Sequence, residues 1–379
     1  MDKISKKLNP NIIKYVNNGV ALFKLGKIND SIQSFKNAIK ENPNSNLAHN
    51  NLGISYLELG IYSKALKHFV IAIKINENDL GTIMNLINVL TLYKSIKKDE
   101  HPLIYIDHVI GQALMNYKNE NLYFEENLTN LLIKSNDHIK KYNKNLYSNE
   151  TQLFRKNSKN LNCNRHFKVF NEYNIIPKYC FSCYKVQINL SNVVDLIKLF
   201  LVFNNLYLKN NNIRKCIVEM RQNIKGNYKG YIYCESISEA QDIIRKLDQK
   251  IKEANINNFN LNIKHGCSEY YKSYPAFEEI SNDEDKEFKY FSNWEEKEKL
   301  IDLREPGRLK KDQKILGETL KGIHLSDILI INNWISYADA TGDYSYKKIY
   351  NSFVNSGSMK KYLENQINFR KENLSNKFN

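Results

Sequence analysis

The 379-residue sequence predicts an α+β protein in which an all-α array of helical hairpins precedes a β-α-β-β-α-β domain, and two observations carry that prediction. Residues 12–79 repeat themselves at a 34-residue period, with apolar positions at helical spacing. Past Pro177 the spacing changes to apolar/polar alternation, broken by two helical stretches. The organisation expected is a helical repeat domain over 1–150, an α+β domain over 151–280 and a mainly helical extension over 281–379. With 42% hydrophobic and 12% aromatic residues, such domains can bury their own cores without disulfide or metal staples.

The net charge is +15, but Lys, Asn, Ile and Tyr are all heavily used, and all have AT-rich codons, so charge alone does not argue for a nucleic-acid partner. Its distribution is more informative, because 151–280 carries +9, against +5 for 1–150 and +1 for 281–379. No apolar stretch follows the charged residues of the N-terminus, and the apolar run at 199–203 is far short of the roughly 20 residues a membrane span needs. The expectation is a cytoplasmic protein that binds no membrane. Its six cysteines would then be reduced thiols.

Aligning 12–45 with 46–79 pairs Gly19 with Gly53, Leu22 with Tyr56, Gly26 with Gly60, Ser31 with Ala65, Phe35 with Phe69 and Ala38 with Ala72. Each pair has a mechanical reason. Small residues stand where helices cross closely, Phe35 and Phe69 fill the space between hairpins, and Gly26 and Gly60 end the first helix of each pair. On these residues the segment closely resembles the tetratricopeptide repeat (TPR) family. Pro43 closes the first unit as that pattern has it, whereas Glu77 stands at the end of the second. A degenerate third unit starts at Leu80, with Lys94 in place of the turn glycine, and helices are expected at 101–116 and 120–141 as its continuation and cap.

The resemblance implies a groove for a peptide or partner helix along the inner face of the first helices. It would comprise Ile13, Val16, Val20, Phe23 and Lys24 in the first unit and Leu47, Asn50, Ile54, Leu57 and Glu58 in the second. In the chaperone-binding subgroup a basic and amide clamp grips a C-terminal carboxylate. Here Val16, Val20, Gly81 and Asn85 occupy clamp positions and only Asn51 is kept, so an Hsp70 or Hsp90 tail is not the expected ligand. The alternative is that this apolar face packs against the chain's own C-terminal part.

In the middle domain, strands are expected at 179–188, 215–224, 229–235 and 259–264, with helices at 191–208 and 238–254 and a Gly226-Asn227 hairpin turn between the second and third strands. That order is the ferredoxin-like, split βαβ arrangement, with two helices on one face of a four-stranded sheet. The other face would carry Phe181, Cys183, Lys185, Gln187, Glu219, Arg221, Tyr231, Tyr233, Asn262 and Lys264. Three uses of that region follow from residue type. Lys229-Gly230-Tyr231-Ile232-Tyr233-Cys234 resembles the start of the RNP1 pattern, departing at Ile232 and Ser236, which would make Phe181, Lys185, Arg221, Tyr231, Tyr233 and Lys264 an RNA-binding surface. Cys163, His166, Cys180 and Cys183 form C-x2-H-x13-C-x2-C, compatible with one structural zinc ion, unless a regular strand points Cys180 and Cys183 to opposite faces. Glu219, Arg221, Lys185 and His265, or the Cys267 thiol beside His265, are the residues an enzyme would use, although no GxSxG, P-loop, HExxH or Rossmann glycine motif fixes a reaction.

The charged run 282–287 marks a boundary or exposed loop, and helices are expected at 294–303, 319–340 and 344–369. The segment from Ser326 to Ile335 is too apolar for water and must dock on the sheet or the repeats. The function expected is protein–protein interaction or scaffolding through the groove. RNA binding or catalysis on the sheet face are the alternatives.

Overall fold

The computed structural model describes residues 10–116, 123–143, 145–221, 224–278, 280, 288–304, 317–350, 364–365 and 367–368. The chain forms two compact units. One comprises Met1–His108, Ser158–Asn160 and Glu305–Leu320, the other Val109–Asn157, Leu161–Arg304 and Lys321–Asn379.

The first unit is built from antiparallel helix pairs. These are α1 (Pro10–Lys24) with α2 (Ile28–Glu41), α3 (Asn46–Glu58) with α4 (Tyr62–Ile75), then α5 (Leu80–Leu90). Ser45 and Asp79 cap α3 and α5 by accepting from the backbone N–H groups of Ala48 and Thr82. At the end of α1, Gly26 takes a left-handed conformation (φ 71°), which lets Lys27 N–H reach back to Leu22 C=O at 2.9 Å. Gly60 and Ile61 repeat this one period later. A Cβ on Gly19 would stand 2.5 Å from the Phe35 ring, and one on Gly53 would stand 2.6 Å from Phe69, so the crossing of each helix pair requires the absence of a side chain. Where Lys94 replaces the turn glycine, an irregular stretch runs to α6 (Pro102–Asn116). Leu320 donates its N–H to Thr91 C=O at 2.9 Å, and Gly317 lies against the Tyr62 hydroxyl and Leu92, so a short C-terminal segment completes this unit.

The second unit contains α7 (Glu125–Tyr142), β1 (Gln152–Arg155), α8 (Cys163–Tyr173), β2 (Tyr184–Leu190), α9 (Val193–Asn205), β3 (Arg214–Val218), β4 (Tyr228–Cys234), α10 (Ile237–Glu253), β5 (Phe259–His265), α11 (Trp294–Arg304) and α12 (Leu325–Thr341). The sheet is antiparallel throughout, in the order β1-β3-β4-β2-β5. Its last four strands stand in the order that the βαββαβ arrangement requires, and β1 is an additional edge strand that four residues are too few to announce by alternation. Gly230 backs directly onto Leu199 and Phe203 of α9, which fixes the even-numbered residues of β4 on the helix-covered face.

Several expected boundaries move. The strand expected at 215–224 ends at Val218, so Glu219 and Arg221 lie just beyond it and not within it. Residues 178–182 form a 3-10 turn instead of the first part of a strand, because Cys180 N–H bonds to Pro177 C=O and Cys183 N–H to Cys180 C=O. The apolar helix α12 begins at Leu325 and packs along α7, α9 and β1 of its own unit. Trp334 Nε1 donates to Thr151 C=O at 2.9 Å, and the amides of Asn136 and Asn332 bond reciprocally. At the head of α12 the buried Arg155 has every guanidinium nitrogen engaged. Nε donates to Asn204, the two Nη groups grip the Asp327 carboxylate at 3.2 and 2.8 Å, and they also reach the carbonyls of Phe154 and Gly322. The guanidinium also lies 4.5 Å from the Phe200 ring centroid. Of the helix expected at 344–369, Tyr344–Lys348 is a short 3-10 turn and most of the remainder lies outside the described residues, as does the charged run 282–287.

Candidate interaction surfaces

On the inner face of the repeat unit, Ile13 is 45% and Leu47 53% exposed, and these two occupy the same position in successive repeats. Lys24 is exposed as well, while Val20, Phe23, Asn50, Ile54, Leu57 and Glu58 are half-buried. Val16 is the exception. At 6% exposure it belongs to the packing between helices and cannot touch a partner. Between α3 and α5, Asn85 donates to Asn50 at 2.9 Å, which fixes a polar point in an otherwise apolar face.

The sheet face away from α9 and α10 does not form the expected aromatic platform. Tyr231 is only 5% exposed, with the Lys185 and Lys215 ammonium groups 5.1 and 5.5 Å from its ring centroid, and burial pushes its phenol up to about 12. The Tyr233 phenol is raised well beyond its ordinary range, also by burial. Phe181 is not on the sheet at all. The turn at 178–182 directs it into an aromatic cluster, with its ring 5.1 Å from Phe277 and 5.7 Å from Tyr290. Lys264 is half-buried beside Lys185 on the neighbouring strand. Arg221 forms a bidentate pair with the buried Glu219. Burial pulls the Glu219 carboxyl up, but the hydrogen bonds from Arg221 outweigh it and leave the pKa below its ordinary value.

Of the residues expected for catalysis, Glu219, Arg221 and Lys185 lie near one another, but His265 does not join them. The His265 ring stacks on Phe277 at 4.1 Å, its alternation is opposite to that of Lys264, and burial lowers its pKa to about 4. The proposed zinc donors are likewise dispersed among other partners. His166 stacks on Tyr179 at 5.2 Å, and the Cys180 thiol lies 3.4 Å from the Tyr270 hydroxyl. Burial drives Cys163 up to about 11. Among the described residues no three His, Cys, Asp or Glu side chains are placed to hold a metal ion. The turn does remove the expected obstacle, since Cys180 and Cys183 are not on one regular strand. It also brings Cys180 within hydrogen-bonding reach of Cys267, which spacing could not reveal because the register of β5 on β2 sets it.

Among the described residues no helix is long and apolar enough to cross a membrane. No curated protein matches the chain. A TPR repeat model matches residues 19–60 and a tetratricopeptide repeat model residues 47–79, in agreement with the glycine, phenylalanine and cap geometry of α1 to α4. Residues 19–79 are therefore a tetratricopeptide-repeat region.

Proposed function

We propose that the chain is a protein–protein interaction or scaffold protein that binds an apolar peptide or helix along the inner face of its repeat unit. The observation that carries this reading is the exposure of Ile13 and Leu47 at equivalent positions of successive repeats, on helices whose opposite side is already committed to packing. Phe23, Ile54 and Leu57 would extend the contact, with Lys24 and Glu58 at its margins. Val16, Val20, Gly81 and Asn85 stand at the clamp positions, and the lack of a basic side chain there argues against the carboxylate end of a chaperone tail. The test is a photo-crosslinker at Leu57 in the full chain, compared with the same protein carrying Ile13→Asp and Leu47→Asp. Loss of the crosslinked partner with an unchanged circular-dichroism melt is the expected result. Identical crosslinks in both proteins would remove the groove from consideration.

A further inference from the structure

Lys185 and Lys215 stand on the two strands flanking β4 and straddle the Tyr231 ring on the sheet face away from α9 and α10. Lys185 is 7% exposed, and its ammonium donates to Gly266 C=O at 2.8 Å. Lys215 is half-buried and donates to the Gln152 side-chain carbonyl at 3.0 Å. Both partners are neutral, and among the described residues neither ammonium has a carboxylate within 4.0 Å. The nearby acids are engaged elsewhere: Glu219 is held by Arg221 at 2.8 Å, and Glu269 approaches the same guanidinium at 3.4 Å.

A buried ammonium is costly unless a counter-charge accompanies it, and two of them repel each other as well. The Tyr231 ring offsets part of that cost through its π face but brings no negative charge. Arg221 and Glu269 are half-exposed at the rim, so solvent reaches the cluster from that side. Around Tyr231 the positive groups Lys185, Lys215, Arg221 and Lys264 outnumber the carboxylates Glu219 and Glu269, and the Cys267 thiol is a further group of acidic type that acts on Lys185. We propose that this cluster is a binding site for an oxyanion of phosphate size, free or as the phosphoryl group of a small molecule. The anion would lie against Tyr231, with Lys185 and Lys215 donating to it and Arg221 at the entrance. Burial first, then the charges of Lys185 and Arg221, lower the Lys215 pKa to about 8, as expected for an ammonium that lacks a counter-ion. This site is independent of the partner groove.

The test uses the purified full chain and inorganic phosphate at low ionic strength, with chloride at matched ionic strength as the control. Calorimetry should show saturable binding of phosphate, and the Lys215 pKa, followed by NMR, should rise when the site is filled. Glycerol phosphate binding more tightly than phosphate would identify a phosphorylated small molecule as the source, and the reverse would identify the free ion. Lys215→Met should lower phosphate affinity by about tenfold or more, the loss expected for one charge-assisted hydrogen bond. It should also raise the melting temperature in the absence of phosphate, because an uncompensated charge is removed. Lys215→Arg keeps the charge and should keep binding, which separates a lost site from a lost fold. Absence of binding by the wild type, affinity unchanged in Lys215→Met, or binding of oligouridylate without binding of free phosphate would each overturn the proposal.

Discussion

Gly53→Leu is the sharpest test of how the repeats are packed. A Cβ at position 53 would lie 2.6 Å from Phe69, about 1 Å inside the 3.5–4.0 Å at which carbon atoms rest, and leucine adds three more carbons in the same place. Overpacking of this kind costs about 1–3 kcal/mol, while replacing a helical glycine returns roughly 0.8–1 kcal/mol, so a net loss of up to about 2 kcal/mol is expected. Phe69→Ala alone should cost about 3–5 kcal/mol by leaving a cavity. In that background the sign of the first change should reverse, because the introduced leucine side chain then fills the space the ring has left. Hydrogen exchange of α3 and α4 amides in the full chain gives the readout locally, with about tenfold less protection for each 1.4 kcal/mol. If Gly53→Leu costs the same with and without Phe69, the close crossing does not set the role of the glycine.

The Arg155–Asp327 pair has side chains only 7% and 4% exposed, so Arg155→Ala should destabilise the second unit by about 3–5 kcal/mol in urea, whereas Arg155→Met with Asp327→Leu should recover most of that loss. His68, His101, His166 and His265 have folded pKa values lowered to about 4, chiefly by burial, against about 6.5 unfolded. Each contributes stability that is fully present above pH 6.5 and is lost as pH falls towards 4, so the melting temperature should drop steadily across that window, and a flat profile would contradict the burial of these rings. Among the thiols near β5, Cys267 is lowered by its hydrogen bond with Cys180 while Cys163 and Cys180 are raised. Iodoacetamide followed by peptide mass spectrometry should therefore find Cys267 labelled first, and preferential labelling of Cys163 would reverse that order of acidity.

The repeats were legible because their constraints are local. Gly26, Gly60, Gly19 and Gly53 are each required by a neighbour within one period, so residue type and spacing suffice. The βαββαβ order was legible from alternation for the same reason, although β1 was not, since it is recognisable only by its pairing with β3. The surfaces were harder to read. Alternation correctly set Tyr231 and Tyr233 on the face away from the helices, but exposure depends on what else occupies that face. The two lysines across Tyr231 were invisible as a pair because thirty residues separate Lys185 from Lys215. Phe181 was misplaced by a single local event, the backbone bonds that turn residues 178–182 before the strand begins. His166 and His265 matched ligand or catalytic chemistry by type, yet ring stacking on Tyr179 and Phe277 occupies them.

The bond from Leu320 to Thr91 has a consequence for synthesis. A ribosome delivers α1 to α5 long before it delivers residues 317–320, so at typical elongation rates of about 5–20 residues per second the nascent repeats wait on the order of ten seconds or more for the segment that completes them. During that interval Tyr62 and Leu92 lack the cover that Gly317 later provides. The newborn array is thus a different object from the finished one, with an extra apolar edge that a holdase, or a partner made at the same time, would meet first.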